Sequence, residues 1–345
     1  MSLDALAQRP RSLAPEAVQA AVATSAETPA GAIPYSTTPG GVLQRGAVAA
    51  LVLVPLAAGF LALAELWSHG ISWFDVSLAV VMYVITGFGV SIGYHRMLTH
   101  GSFRPRRWLK IALAVSGSMA FEGSAISWAS IHRRHHVYSD RPGDPHSPVR
   151  PGNLLADRIG GLWHAHAGWL FQKNQVDAQR WSPDLLADKD IARISSMAPA
   201  LMAASLLVPF ALGWMVTQSL SGAFLALLWG GLVRVLLLQH VTWSINSICH
   251  VFGRQPFRTK DQSRNVPILA LVSFGESWHN AHHAFPALAR HGVDPRQLDL
   301  SASMIAFFER MSWVSEVRWP RAELLDRRRI RPALVPTRSG GLPAG

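Results

Sequence analysis

The chain holds one cysteine in 345 residues, Cys249, which excludes an internal disulfide and any iron–sulfur cluster built on its own thiolates. Charge is missing over long stretches: positions 47–64 and 76–94 contain no Asp, Glu, Lys or Arg, and 194–233 is a further uncharged run of 40 residues. About 20 apolar residues cross a bilayer as a helix, so the long run reads as two spans joined by a turn at Thr217–Gly222. Acidic residues are in deficit, 21 against 32 Lys and Arg, a formal charge of +11. In a soluble chain that balance would raise nucleic acid as a partner. Here every Lys and Arg except Arg234 lies at or before position 45, between 96 and 193, or after 246, and the connections 65–75 and 217–222 have none. An even number of spans puts the three basic regions on one side, which the positive-inside rule makes the cytoplasm. The charge therefore reads as orientation and contact with anionic membrane lipid, and no nucleic-acid partner is expected.

The fold class expected is an all-α membrane protein. Four transmembrane helices cover about 47–66, 74–94, 194–216 and 223–245 of a domain at 45–330, with a cytoplasmic helical cap from 95–193 and 246–330. Residues 1–44, rich in Ala, Pro, Ser and Thr without sustained periodicity, and the similar 331–345 read as disordered tails, both cytoplasmic; the first lacks the pattern of a signal peptide. The apolar stretch 111–121 is too short to span and reads as an interfacial or buried helix. Arg234, inside the fourth span, needs a partner there, a Glu or a helix-end carbonyl.

What the chain has in excess is patterned histidine. HxxHH occurs twice, as His132, His135 and His136 and as His279, His282 and His283. Positions i, i+3 and i+4 share a helix face, so each triplet is expected to aim at a single point. His95 and His100 follow the second span; five residues of α-helix turn about 500°, leaving the rings about 140° apart, so they converge only if the helix ends near Thr99 and the chain bends at Gly101. Asn246 and His250, at the end of the fourth span, are i, i+4. These nine neutral imidazoles suit two metal ions with four or five ligands each. Thiolates are absent, and so is the Glu pattern of carboxylate-bridged di-iron bundles. Imidazole also suits zinc, but zinc has no redox chemistry, and a two-metal histidine site at a membrane points to oxygen activation. Transport would call for polar ligands inside the spans, which the uncharged runs do not offer. Outside the pattern, His146, His164 and His166 read as supporting or structural, and His69, His240 and His291 as ordinary. Glu276, three residues before His279, reads equally as an acceptor for a ligand histidine or a helix cap.

HRMLTH at 95–100, HRRHH at 132–136, NSICH at 246–250 and HNAHH at 279–283 resemble the histidine boxes of the membrane fatty-acid desaturases, most closely the acyl-CoA Δ9 (stearoyl-CoA) branch, over roughly 47–320. The resemblance implies two iron ions (Fe2+/Fe3+) on the nine histidines. The implied reaction is O2-dependent insertion of a cis double bond, at Δ9, into a saturated long-chain fatty acyl thioester, with O2 reduced to water. It implies that Asn246 holds a metal-bound water and that Trp128 and Thr242 shape a bent acyl tunnel; a chain held kinked is already oriented for a cis product. Tyr83, about 18 Å along the second span from His95, falls where such tunnels end. Where the animal acyl-CoA branch has an Arg-Asp pair before the second box and an accompanying asparagine, this chain has Ser130, Ile131 and Gly123. A carrier protein or phospholipid ester therefore stands beside acyl-CoA as the substrate form. Electrons are expected from a separate donor, a ferredoxin-type protein, a flavin reductase or a haem protein. The alternative within the same chemistry is a di-iron hydroxylase of lipids or alkanes, which differs only after the first hydrogen is removed.

Overall fold

The computed structural model describes residues 35–36, 42–150, 152, 154–172 and 175–330. Of the two expected tails, only Tyr35–Ser36 and the start of the first helix fall among them; the rest of 1–44 and all of 331–345 lie outside the described residues.

Helix α1 (Val42–His69) and helix α2 (Trp73–Phe88) form the first pair, and α2 starts where the Ser72 hydroxyl accepts the Asp75 amide. Without a break, α2 passes into a π-helical segment, Gly89–Thr99. Next come α3 (Arg107–Ser118), α4 (Ala125–Tyr138), α5 (Leu155–His166) and the short α6 (Ala178–Trp181), α7 (Pro183–Ala187) and α8 (Lys189–Ser196). The second pair is α9 (Ala198–Thr217) and α10 (Leu220–Ala226), the latter continuing through a π-helical segment, Leu227–Val233, into α11 (Arg234–Ser247) and a single 3-10 turn, Ile248–His250. The hairpin expected at Thr217–Gly222 is there: Gln218 turns left-handed at φ 50°, and the Ser219 hydroxyl accepts the Gly222 amide. Helices α12 (His279–Ala284), α13 (Leu300–Arg310) and α14 (Ala322–Asp326) are the last among the described residues. The two-residue strands β1 (Tyr35–Ser36) and β3 (Gln175–Val176) pair antiparallel, as do β2 (Arg104–Pro105) and β4 (Val314–Ser315).

Among the described residues, four helical stretches are long and apolar enough to cross a membrane: Arg45–His69, Trp73–Thr99, Ala198–Thr217 and Leu220–His250. The second and fourth are 50% and 44% buried in their most apolar windows, the first and third 17%. The first and third are therefore the outer pair, and their exposed Leu53, Phe60, Leu61, Leu63, Leu207 and Met215 form a surface fit for hydrocarbon. The second and fourth outrun their apolar sequence because the histidine-bearing turns prolong the helix past the point where hydropathy falls. The third starts at Ala198 because 194–196 belong to amphipathic α8, which ends at Ser196 with Met197 as its cap.

Arg234 is fully buried and donates to the carbonyls of Gly230, Met119 and Ser205 and to the Ser205 hydroxyl at 2.7 Å. Met119 caps the C-terminus of α3, so a helix-end carbonyl does meet the buried cation. Helix α3 is the short apolar helix expected over 111–121. It packs directly on the π segment because three glycines remove the side chains between them. A Cβ on Gly89 would sit 2.2 Å from the Gly117 amide nitrogen, and one on Gly93 would sit 2.8 Å from the Leu113 carbonyl.

Candidate metal centre

Each histidine triplet divides between two foci; it does not converge on one. His95, His100, His132, His136 and His282 form one group and His135, His250, His279 and His283 another, with the nitrogens of each group all within 4.8 Å of one another. In an α-helix i and i+4 differ by about 40° while i+3 and i+4 differ by about 100°, so the outer members of a triplet share a focus and the middle one leaves it. Helix α4 sends His132 and His136 to the first group and His135 to the second. Helix α12 does the reverse, sending His279 and His283 to the second and His282 to the first. The expectation of one point per triplet is thus corrected, and two α-helices facing each other build both groups at once.

His95 and His100 converge for a reason that α-helical counting misses. The His100 amide donates to the His95 carbonyl at 3.2 Å, an i→i+5 bond, so the wider π turn brings the second ring back over the first, with centroids 4.8 Å apart. The bend at Gly101, φ 57°, follows that convergence.

Within the first group, Nε2 of His282 lies 3.0 Å from that of His95 and 2.9 Å from that of His136, which lies 3.0 Å from that of His132. In the second, Nε2 of His250 and His279 are 3.0 Å apart. Behind them stand carboxylates. Glu276 meets Nδ1 of His95 at 2.5 Å, Asp144 that of His135 at 3.0 Å, Asp140 that of His250 at 2.9 Å and Asp261 that of His283 at 2.9 Å. A carboxylate on Nδ1 holds the proton there and leaves Nε2 a bare lone pair. Nε2 of His135 and His283 and both nitrogens of His100 are buried without a hydrogen-bond partner among the described residues. Lone pairs gathered so closely repel unless a cation lies among them, so the donor set fits two metal ions, and neutral nitrogen donors suit iron, zinc, copper or nickel.

The electrostatics agree. Burial, followed by the neighbouring imidazoles, pushes the pKa of His100, His132, His136, His279, His282 and His283 well below the ordinary value, which keeps them neutral and ready to bind. His135 moves the other way: burial lowers it, but Asp144, Asp140 and Asp261 together outweigh burial and raise it. Burial would raise Asp144 itself, yet His135 brings it below the usual carboxylate range. Glu276 is likewise held well below its ordinary value, against burial, by His95 and Arg96.

A cavity of about 430 Å3 reaches both groups, touching His95 and His132 of the first and His279 of the second. Trp128, Thr242 and Asn246 line it, and Trp128 stacks on His132 with centroids 4.9 Å apart. Tyr83 is not among the lining residues; its hydroxyl donates to the Val272 carbonyl at 2.7 Å and its ring packs on Phe274, and those two form the wall. Ile131 and Gly123 also line the cavity, whereas Ser130 is buried against Ser182.

Sequence reading missed several residues here. Asp140, Asp144 and Asp261 sit in loops with nothing local to mark them, although two acids within eight residues of HRRHH are a signal that carboxylate support of ligand histidines would justify following. Glu122 lines the cavity with Oε1 shielded and unpartnered, and burial raises its pKa to about 8. His291, read as ordinary, is 1% exposed and packs against His95 and His282. His146 lies against His135 and Trp169 and lines the cavity. His166 instead pairs with His240 and Ser247, away from both groups.

Residues 71–297 match the family model described as fatty acid desaturase. The hex-5-enoyl-[acyl-carrier protein] acetylenase of Moorena producens (strain JHB) is 38% identical over 280 residues, 81% of this chain and 87% of that protein. The chloroplastic palmitoyl-monogalactosyldiacylglycerol delta-7 desaturase of Arabidopsis thaliana is 35% identical over 72% of this chain and 63% of its own length. The sn-1 stearoyl-lipid 9-desaturase of Synechocystis sp. (strain ATCC 27184 / PCC 6803 / Kazusa) is 33% identical over 72% of this chain and 73% of that protein.

Proposed function

Since the chain belongs to the fatty acid desaturase family, we propose that it inserts a cis double bond, at Δ9, into a saturated long-chain fatty acyl group, using O2, two irons on the nine histidines and electrons from a separate donor. The observation that carries this reading is the meeting of two histidine groups at one largely apolar cavity. When bound, the irons would supply the oxidising power needed to take hydrogen from unactivated carbons. The chain's own part is to place the substrate and keep water out. Trp128 packs on both His95 and His132 and walls the cavity there, with Thr242 lining the same cavity, so an acyl chain lying against Trp128 has its reacting carbons beside the first group. Asn246, one helical turn before His250, faces the same space and is assigned to hold a water beside the four-histidine group. The three basic regions are placed on the cytoplasmic side, where a soluble electron donor would reach the cap.

For the acyl carrier, an ester of membrane lipid is favoured. Ile131 and Gly123 bring no charge to the cavity lining to meet a nucleotide carrier, and two of the relatives above are named for lipid-bound chains and one for an acyl-carrier protein. Acyl-CoA remains the third arm of the test. Purified, iron-loaded protein given chemically reduced electron carrier, O2 and stearoyl chains on glycerolipid, carrier protein or CoA should return a C18 chain two hydrogens lighter. Chemical cleavage should locate the bond between carbons 9 and 10. A product heavier by one oxygen would replace desaturation by hydroxylation.

A further inference from the structure

His291 touches the five-histidine group without being one of its members. It lies in the loop after α12, and its ring packs 4.4 Å from that of His282 and 5.3 Å from that of His95. Its backbone is pinned: the His291 amide donates to Asp299 at 2.8 Å, and Asp299 pairs at 3.0 Å with Arg96, the residue that follows His95. Neither ring nitrogen has an aligned hydrogen-bond partner among the described residues, and Nδ1 lies 3.4 Å from Oε2 of Glu276. That carboxylate is heavily used. Its Oε1 accepts Nε and Nη2 of Arg96 at 3.1 and 3.0 Å and also the Ser91 hydroxyl, while Oε2 accepts Nδ1 of His95 at 2.5 Å. A carboxylate oxygen has two lone pairs, so Oε2 has one left for His291.

We propose that His291 is a positioning residue: its Nδ1–H fixes Glu276 in line with His95, while its ring walls in His282, and together these set how tightly the five-histidine group holds its ion. The inference rests on the reading that this group binds iron. Glu276 acts on the ligand directly, and His291 restricts where Glu276 can go. Partners behind a metal ligand are worth about 10- to 100-fold in affinity when lost.

Three substitutions separate the contributions of His291. His291→Phe keeps a ring and removes the donor, His291→Asn puts an amide nitrogen close to the place of Nδ1, and His291→Gln puts one close to the place of Nε2. The readouts are iron per chain after graded chelator challenge and the Mössbauer spectrum of the iron retained. His291→Phe is expected to release one iron at about 10- to 100-fold lower chelator strength while keeping the other, and His291→Asn to hold both nearly as the wild type does. Retention of both irons with an unchanged spectrum in His291→Phe would overturn the proposal. So would restoration by His291→Gln and not by His291→Asn, since that would make Nε2 a direct ligand. Should His291→Phe fail to fold, the Asn and Gln variants still decide. A wild-type protein that takes up no iron would remove the metal reading itself, a result distinct from any pattern among the variants.

Discussion

Removing a carboxylate behind a histidine should cost less than removing the histidine. His283→Ala takes away a donor and should abolish product and empty the four-histidine group, whereas Asp261→Asn leaves the imidazole in place but loosens its tautomer. The expected loss of iron affinity for Asp261→Asn is about 10- to 100-fold. Near-normal turnover by His283→Ala would remove it from the ligand set. Asn246→Ala should lower activity with most iron retained, because a contact through water is weaker than a ligand bond; loss of both irons would make Asn246 structural. Protonation gives an independent test. Six of the nine histidines have pKa values lowered by burial, so the unfolded chain binds more protons than the fold between about pH 6.5 and those depressed values. Stability from these groups is fully present above that value and is lost as pH falls toward the depressed values, with raised His135 working in the opposite sense. The metal-free protein should therefore show a thermal midpoint that drops between about pH 7 and about pH 5. A flat or rising midpoint would mean that the histidines are not held neutral.

Helix winding decides which of these residues meet. The π segment Gly89–Thr99 turns His95 and His100 together, and it can do so only while α3 lies against it with no side chain at Gly89 or Gly117. Gly89→Val would drive carbon into the α3 backbone, an overpacking that typically costs about 1–3 kcal/mol. The expected result is a protein that still inserts in membranes but loses iron from the five-histidine group, read by metal content and by unfolding in denaturant. Full iron retention would show that the close approach is not what orients His95. These features also mark where sequence reading stops. Spans and HxxHH triplets were legible because hydropathy and i, i+3, i+4 spacing are local patterns. The π turn was not, since HRMLTH counts as α-helix until the packing on α3 is known. The division of each triplet follows from α-helical angles, but it required knowing that α4 and α12 face each other. Asp140, Asp144 and Asp261 reach their histidines across sequence separations of 110, 9 and 22.

For the whole molecule, the proposed function gives the chemistry to the second and fourth long helices and contact with lipid to the first and third, although Val48 and Leu51 of the first also line the cavity. Tyr83 tests how the cavity ends. It stands one layer behind Val272 and Phe274, so Tyr83→Ala should let Phe274 move back and shift preference toward longer chains, with the bond still fixed from the carboxyl end. An unchanged chain-length profile in a folded, iron-loaded variant would place the end of the cavity elsewhere. The proposed chemistry depends on what the histidines hold, and metal analysis of wild-type protein purified with iron available measures that directly. Two histidine groups, of five and four, should give two irons per chain; one tightly held zinc and no iron would contradict the account.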